Sequence, residues 1–107
     1  MSNLKKILIY KKNCKSVWFM RQAGRYLPEF RKIRKNNPNF IELCLNSELS
    51  SEITLQPIER FNLDSAIIFS DILMVPFALG QKVEFIQGYG PILSNFNLEM
   101  FLNNDKI

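Results

Sequence analysis

The chain has 107 residues with 47% hydrophobic and 12% aromatic side chains, enough for one folded domain with a modest core and too apolar for a disordered tail. It contains no histidine, which excludes Ser-His and Cys-His nucleophile systems and any histidine-ligated metal within it. The net charge of +4 is unevenly spread: residues 1–35 carry 11 Lys/Arg against the single acid Glu29, whereas the remainder is net acidic.

In chain order, residues 3–12 have the spacing of a short helix, with Leu4, Ile7 and Leu8 on one side and lysines facing water. Ser16–Met20 reads as a strand, rich in β-branched and aromatic types. It stops at Arg21-Gln22-Ala23-Gly24-Arg25, a tight loop in which Gly24 supplies backbone freedom and Pro28 keeps Leu27 out of helical angles. Two guanidiniums at a strand end suit carboxylates or phosphates, because the planar fork makes two parallel bonds. Surface ion pairing is the competing reading of the same arginines.

A helix is expected from Pro28 to Lys35, with proline in its first turn and Glu29 at its positive end. Asn39 caps a short helical piece carrying Phe40, Ile41, Leu43 and Cys44. Ser47 is the expected cap of a longer helix to Phe61, with Leu49, Ile53, Ile58 and Phe61 facing inward and Pro57 bending it.

Ser65–Phe69 reads as a strand apolar on both faces, ending at Ser70-Asp71. An apolar stretch from Ile72 to Leu79, interrupted by Pro76, is closed by Gly80. Lys82–Ile86 alternates like a strand, Gly88–Pro91 forms a turn, and Leu98–Leu102 is helical. This order implies an α/β chain with about three parallel strands and connecting helices. Parallel strands would bring Arg21, Arg25 and Asp71 to one rim, where α/β folds place their sites. An Arg–Asp bridge between two loops is the structural alternative.

Cys14 and Cys44 are widely separated and fit free thiols in a reducing cytoplasm. No secretory signal is visible, and the tract Ser65–Gly80 is too broken to span a membrane. The basic front could attract nucleic acid, but its aromatics sit in apolar runs rather than among the basic residues, so no nucleic-acid partner is expected.

The run from Trp18 to Phe30 resembles the N-terminal signature of uroporphyrinogen decarboxylases, and Glu52–Phe61 and Asp64–Gly80 are similar to the same family in the same order. The resemblance implies the N-terminal portion of a (β/α)8 TIM-type barrel, a partial domain over residues 1–107 in which 1–15 is a basic lead-in. It implies a cofactor-free, metal-free decarboxylase of porphyrin and haem synthesis that converts uroporphyrinogen III into coproporphyrinogen III. By the same resemblance Arg21, Gln22, Ala23, Gly24 and Arg25 bind the substrate's carboxylates, and Asp71 meets the pyrrole N–H groups. Asp71 and Arg21 are then the catalytic candidates. A full barrel needs about 250 residues; the implied partner is a second copy in a homodimer or a complementing C-terminal chain. The alternative is an inactive remnant that binds a tetrapyrrole or another protein.

Overall fold

The computed structural model describes residues 2–86 and 88–102, without the side chains of Met100 and Phe101. The chain divides into two compact units, one up to Phe69 and one from Ser70 onward.

The first unit is helical. Helix α1 (Asn3–Tyr10) starts at Ser2, whose hydroxyl accepts from Lys5 N, and ends at Lys11 in a left-handed conformation. Helix α2 (Pro28–Asn36) uses Pro28 in its first turn, where a missing N–H costs nothing. Helix α3 (Phe40–Leu45) is capped by Asn39, whose side-chain oxygen accepts from Ile41 N and Glu42 N. Helix α4 (Ser47–Phe61) is capped by Asn46 rather than the expected Ser47: the Asn46 carboxamide oxygen reaches Leu49 N at 3.0 Å, and Ser47 is already helical.

Helices α2 and α3 both pack on α4. The core is small and sharply defined: Leu27, Phe30, Leu43 and Ile53 are buried together, with Ala23, Ile33, Leu49 and Phe69 packed around them. The inward face of α4 is not the purely apolar stripe expected. It consists of Ser50, Ile53, Gln56 and Pro57, while Phe61 is half exposed. Outside the core, Glu29 on α2 and Arg60 on α4 form a two-point ion pair at 2.8 and 2.9 Å. Such an exposed pair contributes little to stability.

The buried serine explains the largest departure from expectation. Neither Ser16–Met20 nor Ser65–Phe69 joins a β-ladder among the described residues, so the parallel strands inferred from the sequence are not formed. The main-chain groups of Ser65–Phe69 are instead bonded by side chains. Gln22 Nε2 donates to Ser65 O and Gln22 Oε1 accepts from Ile67 N, both at 2.9 Å. Thr54 Oγ1 accepts from Phe69 N at 2.8 Å, and Ser50 Oγ donates to Phe69 O at 2.7 Å. A partly buried backbone group must find a partner, and here hydroxyls and an amide do what a neighbouring strand would do.

The second unit opens with an Asp71 turn into helix α5 (Met74–Ala78), which tolerates Pro76 because it lies within the first turn of so short a helix. Gly80 follows with φ of 87°, a left-handed angle suited to glycine. The expected strand at Lys82–Ile86 is present as β1 (Val83–Ile86), but its partner β2 (Gly90–Leu93) was not anticipated and the pair is antiparallel. Gly88 and Gly90 both take positive φ, which makes the reversal between the strands possible. Pro91 lies in β2 opposite Phe85; in a two-stranded sheet each strand is an edge, where proline is tolerated. At the open end, Lys82 N donates to Ser94 Oγ and Ser94 N to Lys82 O. Helix α6 (Leu98–Leu102) falls where expected.

Thr54→Val keeps the shape of the side chain but leaves Phe69 N without its acceptor. Urea denaturation is expected to show a loss of about 1–2 kcal/mol. An unchanged midpoint would show that this bond does not hold the segment.

Candidate functional site

The arginine loop is built from main-chain hydrogen bonds and one buried amide. Leu27 N donates to Gly24 O at 3.0 Å, closing a turn over residues 24–27. Arg31, one turn into α2, donates through Nη1 to Arg25 O at 2.8 Å and Tyr26 O at 3.2 Å. The Tyr26 hydroxyl donates back to Gln22 O, and the Tyr26 ring lies against Phe61 with centroids 6.3 Å apart. Gln22 itself is only 4% exposed. The loop is therefore held at 22, 24, 25, 26 and 27.

Gly24 does not supply the backbone freedom expected of it, since the glycines with left-handed angles are Gly80, Gly88 and Gly90. A Cβ at Gly24 would meet the Tyr26 ring at 3.6 Å, an ordinary contact. The turn is shaped by its hydrogen bonds, and the fold leaves room there for a methyl group.

Arg21 and Arg25 are exposed, and among the described residues of the first unit neither has a carboxylate partner. The surface ion-pair reading is thus not realised there. Glu29 is already committed to Arg60, and its carboxyl is held below the usual range by the backbone N–H at the start of α2 and by that guanidinium. Asp64 is committed as well. Its two oxygens accept from Asn3 N at 2.8 Å and Val17 N at 3.3 Å. The Asn3 bond is the main reason its carboxyl is held below the usual aspartate value, with Val17 and Ser16 contributing in the same direction.

Arg21 borders an open cavity of about 590 Å³ in the first unit. Val17, Phe19, Tyr26 and Phe61 form its apolar wall, and Lys15 stands with Arg21 as its second cation. Asp64 also lines the cavity, with its carboxylate bonded to two main-chain amides, so an apolar wall with two cations and one committed acid suits a ligand with an organic body rather than a bare ion. Arg25 does not border this cavity.

Asp71 belongs to the second unit. Its Oδ1 accepts from Leu73 N at 2.9 Å and its main-chain oxygen from Met74 N at 3.0 Å, so it starts α5 as a turn residue. The other carboxylate oxygen has no hydrogen bond among the described residues. The rim argument drawn from parallel strands has no ladder beneath it here, and each residue is placed by its own unit.

Gln22 differs most from its sequence assignment. A loop amide offered to a ligand is instead buried and bonded at both ends to the chain. Sequence reasoning also passed over Tyr26, Arg31 and Asp64, which fix the loop and the segment beside it. A signal existed for Asp64, an acid immediately before an apolar run. Arg31 looked like one more solvated base.

These features define a chain of mixed helix and strand with two exposed guanidiniums on a braced loop, a chemistry suited to carboxylates or phosphates. Comparison with known proteins gives the family. The description "Uroporphyrinogen decarboxylase (URO-D)" matches residues 12–102. The uroporphyrinogen decarboxylase of Acidiphilium cryptum is 58% identical over 81 residues, covering 76% of this chain and 23% of that protein. Those of Agrobacterium fabrum (56% over 82 residues, 77% and 24%) and Rickettsia rickettsii (55% over 80 residues, 75% and 23%) are similar. The chain belongs to the uroporphyrinogen decarboxylase family, and it spans about a quarter of the length of the curated relatives it matches. Among the described residues no helix is long and apolar enough to cross a membrane.

Two outcomes follow from this geometry. Gly24→Ala should fold with a stability within about 0.5 kcal/mol of the native chain; a midpoint shift larger than that in urea would contradict the open space at Gly24. Because the folded pKa of Asp64 is depressed, its contribution is fully present above the unfolded value of about 3.9 and is lost as pH falls through the lower folded value. Exchange protection of the Val17 amide is therefore expected to fall in that acid window. In Asp64→Asn it should no longer depend on pH there, and the same pH dependence in both proteins would refute the assignment.

Proposed function

We propose that this chain forms the substrate-binding N-terminal part of a uroporphyrinogen decarboxylase built on a (β/α)8 barrel. The reaction removes the four acetate carboxyls of uroporphyrinogen III as carbon dioxide and leaves four methyl groups, giving coproporphyrinogen III. The observation that carries this reading is the pair of exposed guanidiniums, Arg21 and Arg25, unpaired within their unit and standing on a loop braced by Gln22, Tyr26 and Arg31. A substrate with eight carboxylates needs fixed cations, and arginine keeps its charge at any physiological pH.

The chemistry needs an electron sink, and a protonated pyrrole provides one. Protonation at ring carbon makes the ring cationic. The bond from the acetate methylene to its carboxylate carbon then breaks, its electron pair flows into the ring and carbon dioxide leaves. Proton uptake at the methylene carbon gives the methyl group, and loss of the ring proton restores the pyrrole. In this scheme Asp71, through the carboxylate oxygen not used in its own turn, accepts hydrogen bonds from pyrrole N–H groups and stabilises the cation. Arg21 and Arg25 hold side-chain carboxylates, with main-chain groups of Ala23 and Gly24 beside them and Gln22 shaping the loop. Arg21 is a carboxylate binder before it is a proton donor, because a guanidinium gives up its proton so reluctantly.

The test is coproporphyrinogen formation by the purified chain, and by an Acidiphilium cryptum enzyme whose 81 aligned residues are replaced by those of this chain. The chimera should turn over uroporphyrinogen. Asp71→Ala should cut its kcat by about 10²–10³, and Arg21→Ala should mainly raise KM. A folded chimera without activity would overturn the reading and favour an inactive binding fragment.

A further inference from the structure

The Gln22 carboxamide occupies the place of a missing strand. In a parallel ladder, one residue donates its N–H to the carbonyl of residue j−1 and accepts from the N–H of residue j+1 on its neighbour. Gln22 reproduces that pattern with its side chain: Nε2 donates to Ser65 O and Oε1 accepts from Ile67 N, spanning Ala66. Both bonds are 2.9 Å, and the residue is 4% exposed. Its neighbours in the loop, Arg21 and Arg25, are exposed. One amide thus joins the charged loop to an extended segment 43 and 45 residues further along.

We infer that Gln22 is a positioning residue, whose carboxamide sets the two guanidiniums by pinning their loop to the Ser65–Ile67 main chain. This rests on the polycarboxylate-binding reading above and adds the group that gives that site its geometry. The amide is suited to the task because it carries a donor and an acceptor side by side and no charge. A carboxylate would face the Ser65 carbonyl with no proton to give. A thioether of equal length would leave both main-chain groups unpaired. The hydrogen bonds of Tyr26 and Arg31 go to the loop's own main chain, and the Asp64 bond to Val17 lies outside the loop, so Gln22 is what hydrogen-bonds the loop itself to residues 65–67.

The test uses the native chain, Gln22→Met and Gln22→Glu, with two independent readouts. Trypsin cleavage at the Arg25–Tyr26 bond reports how often the loop opens. Fluorescence titration with uroporphyrin, the oxidised eight-carboxylate macrocycle, reports the site. Gln22→Met should raise the cleavage rate and weaken uroporphyrin binding by about tenfold each, at any pH. Gln22→Glu should bind most like the native chain at the acid end of the pH range, where a protonated carboxyl supplies the same donor and acceptor, and about tenfold more weakly at pH 8.

A Gln22 that only stabilised the fold would lower the melting temperature without making the affinity ratio follow pH. Unchanged cleavage in folded Gln22→Met would overturn the inference, as would faster cleavage with native affinity. If the native chain itself does not bind uroporphyrin, the polycarboxylate reading fails, and the cleavage rate alone then upholds or overturns the pinning of the loop.

Discussion

Everything in the first unit depends on how an extended segment can be kept in place with no strand beside it. The peptide groups of Ser65–Phe69 cannot be left bare where they are partly buried, and three side chains from two elements answer them. Gln22 comes from the arginine loop, and Ser50 and Thr54 come from α4. Their common property is shape: each puts a small polar head within reach of a main-chain group without disturbing the apolar core of Leu27, Phe30, Leu43 and Ile53 beside it. This is also why Ser50 sits on the inward face of α4, whereas the Gln56 amide on that face makes no hydrogen bond among the described residues. A wholly apolar face would have buried more surface and stranded the N–H and carbonyl of Phe69.

The same constraint sets the electrostatics. Two acids of the first unit, Glu29 and Asp64, already have other tasks. Glu29 ties α2 to α4, and Asp64 receives the first amide of α1 and the amide of Val17. Committing those charges costs little, because each carboxylate is held by several donors. Among the described residues of the first unit, Arg21 and Arg25 stand without a carboxylate partner, on a loop whose backbone is braced. A braced backbone leaves only the arginine side chains to be ordered when an anion arrives, so part of the entropy cost of binding is met in advance.

Much of this was legible in the sequence. The helix at Pro28, the cap at Asn39 and the long helix ending at Phe61 follow from local rules, since capping and proline placement act within a few residues. The strand at Val83–Ile86 was readable from alternation for the same reason. The misses share a cause. Ser16–Met20 and Ser65–Phe69 have strand composition, but a ladder also needs a partner, and composition carries no information about one. β2 was hidden because Gly90 and Pro91 read as turn residues, although a two-stranded edge accepts both. At the candidate site, Gln22 has a structural task that its place in the sequence did not reveal. Gln22 lies between two arginines in sequence and resembles a ligand contact; only its burial reveals a structural amide. The family signature was legible because it joins a long arginine motif to a second motif at the right distance.

The exposure of Trp18, Met20 and Ile68 has a consequence for the chain in solution. These side chains are 54%, 75% and 77% accessible, a large apolar area on a molecule whose first 35 residues carry a net charge of +10. Copies in dilute buffer repel one another over roughly 30 Å at 0.01 M salt, but over only about 8 Å at 0.15 M. Light scattering recorded against ionic strength should rise as salt lets the apolar faces meet, and a polyanion that coats the basic front would act in the same direction.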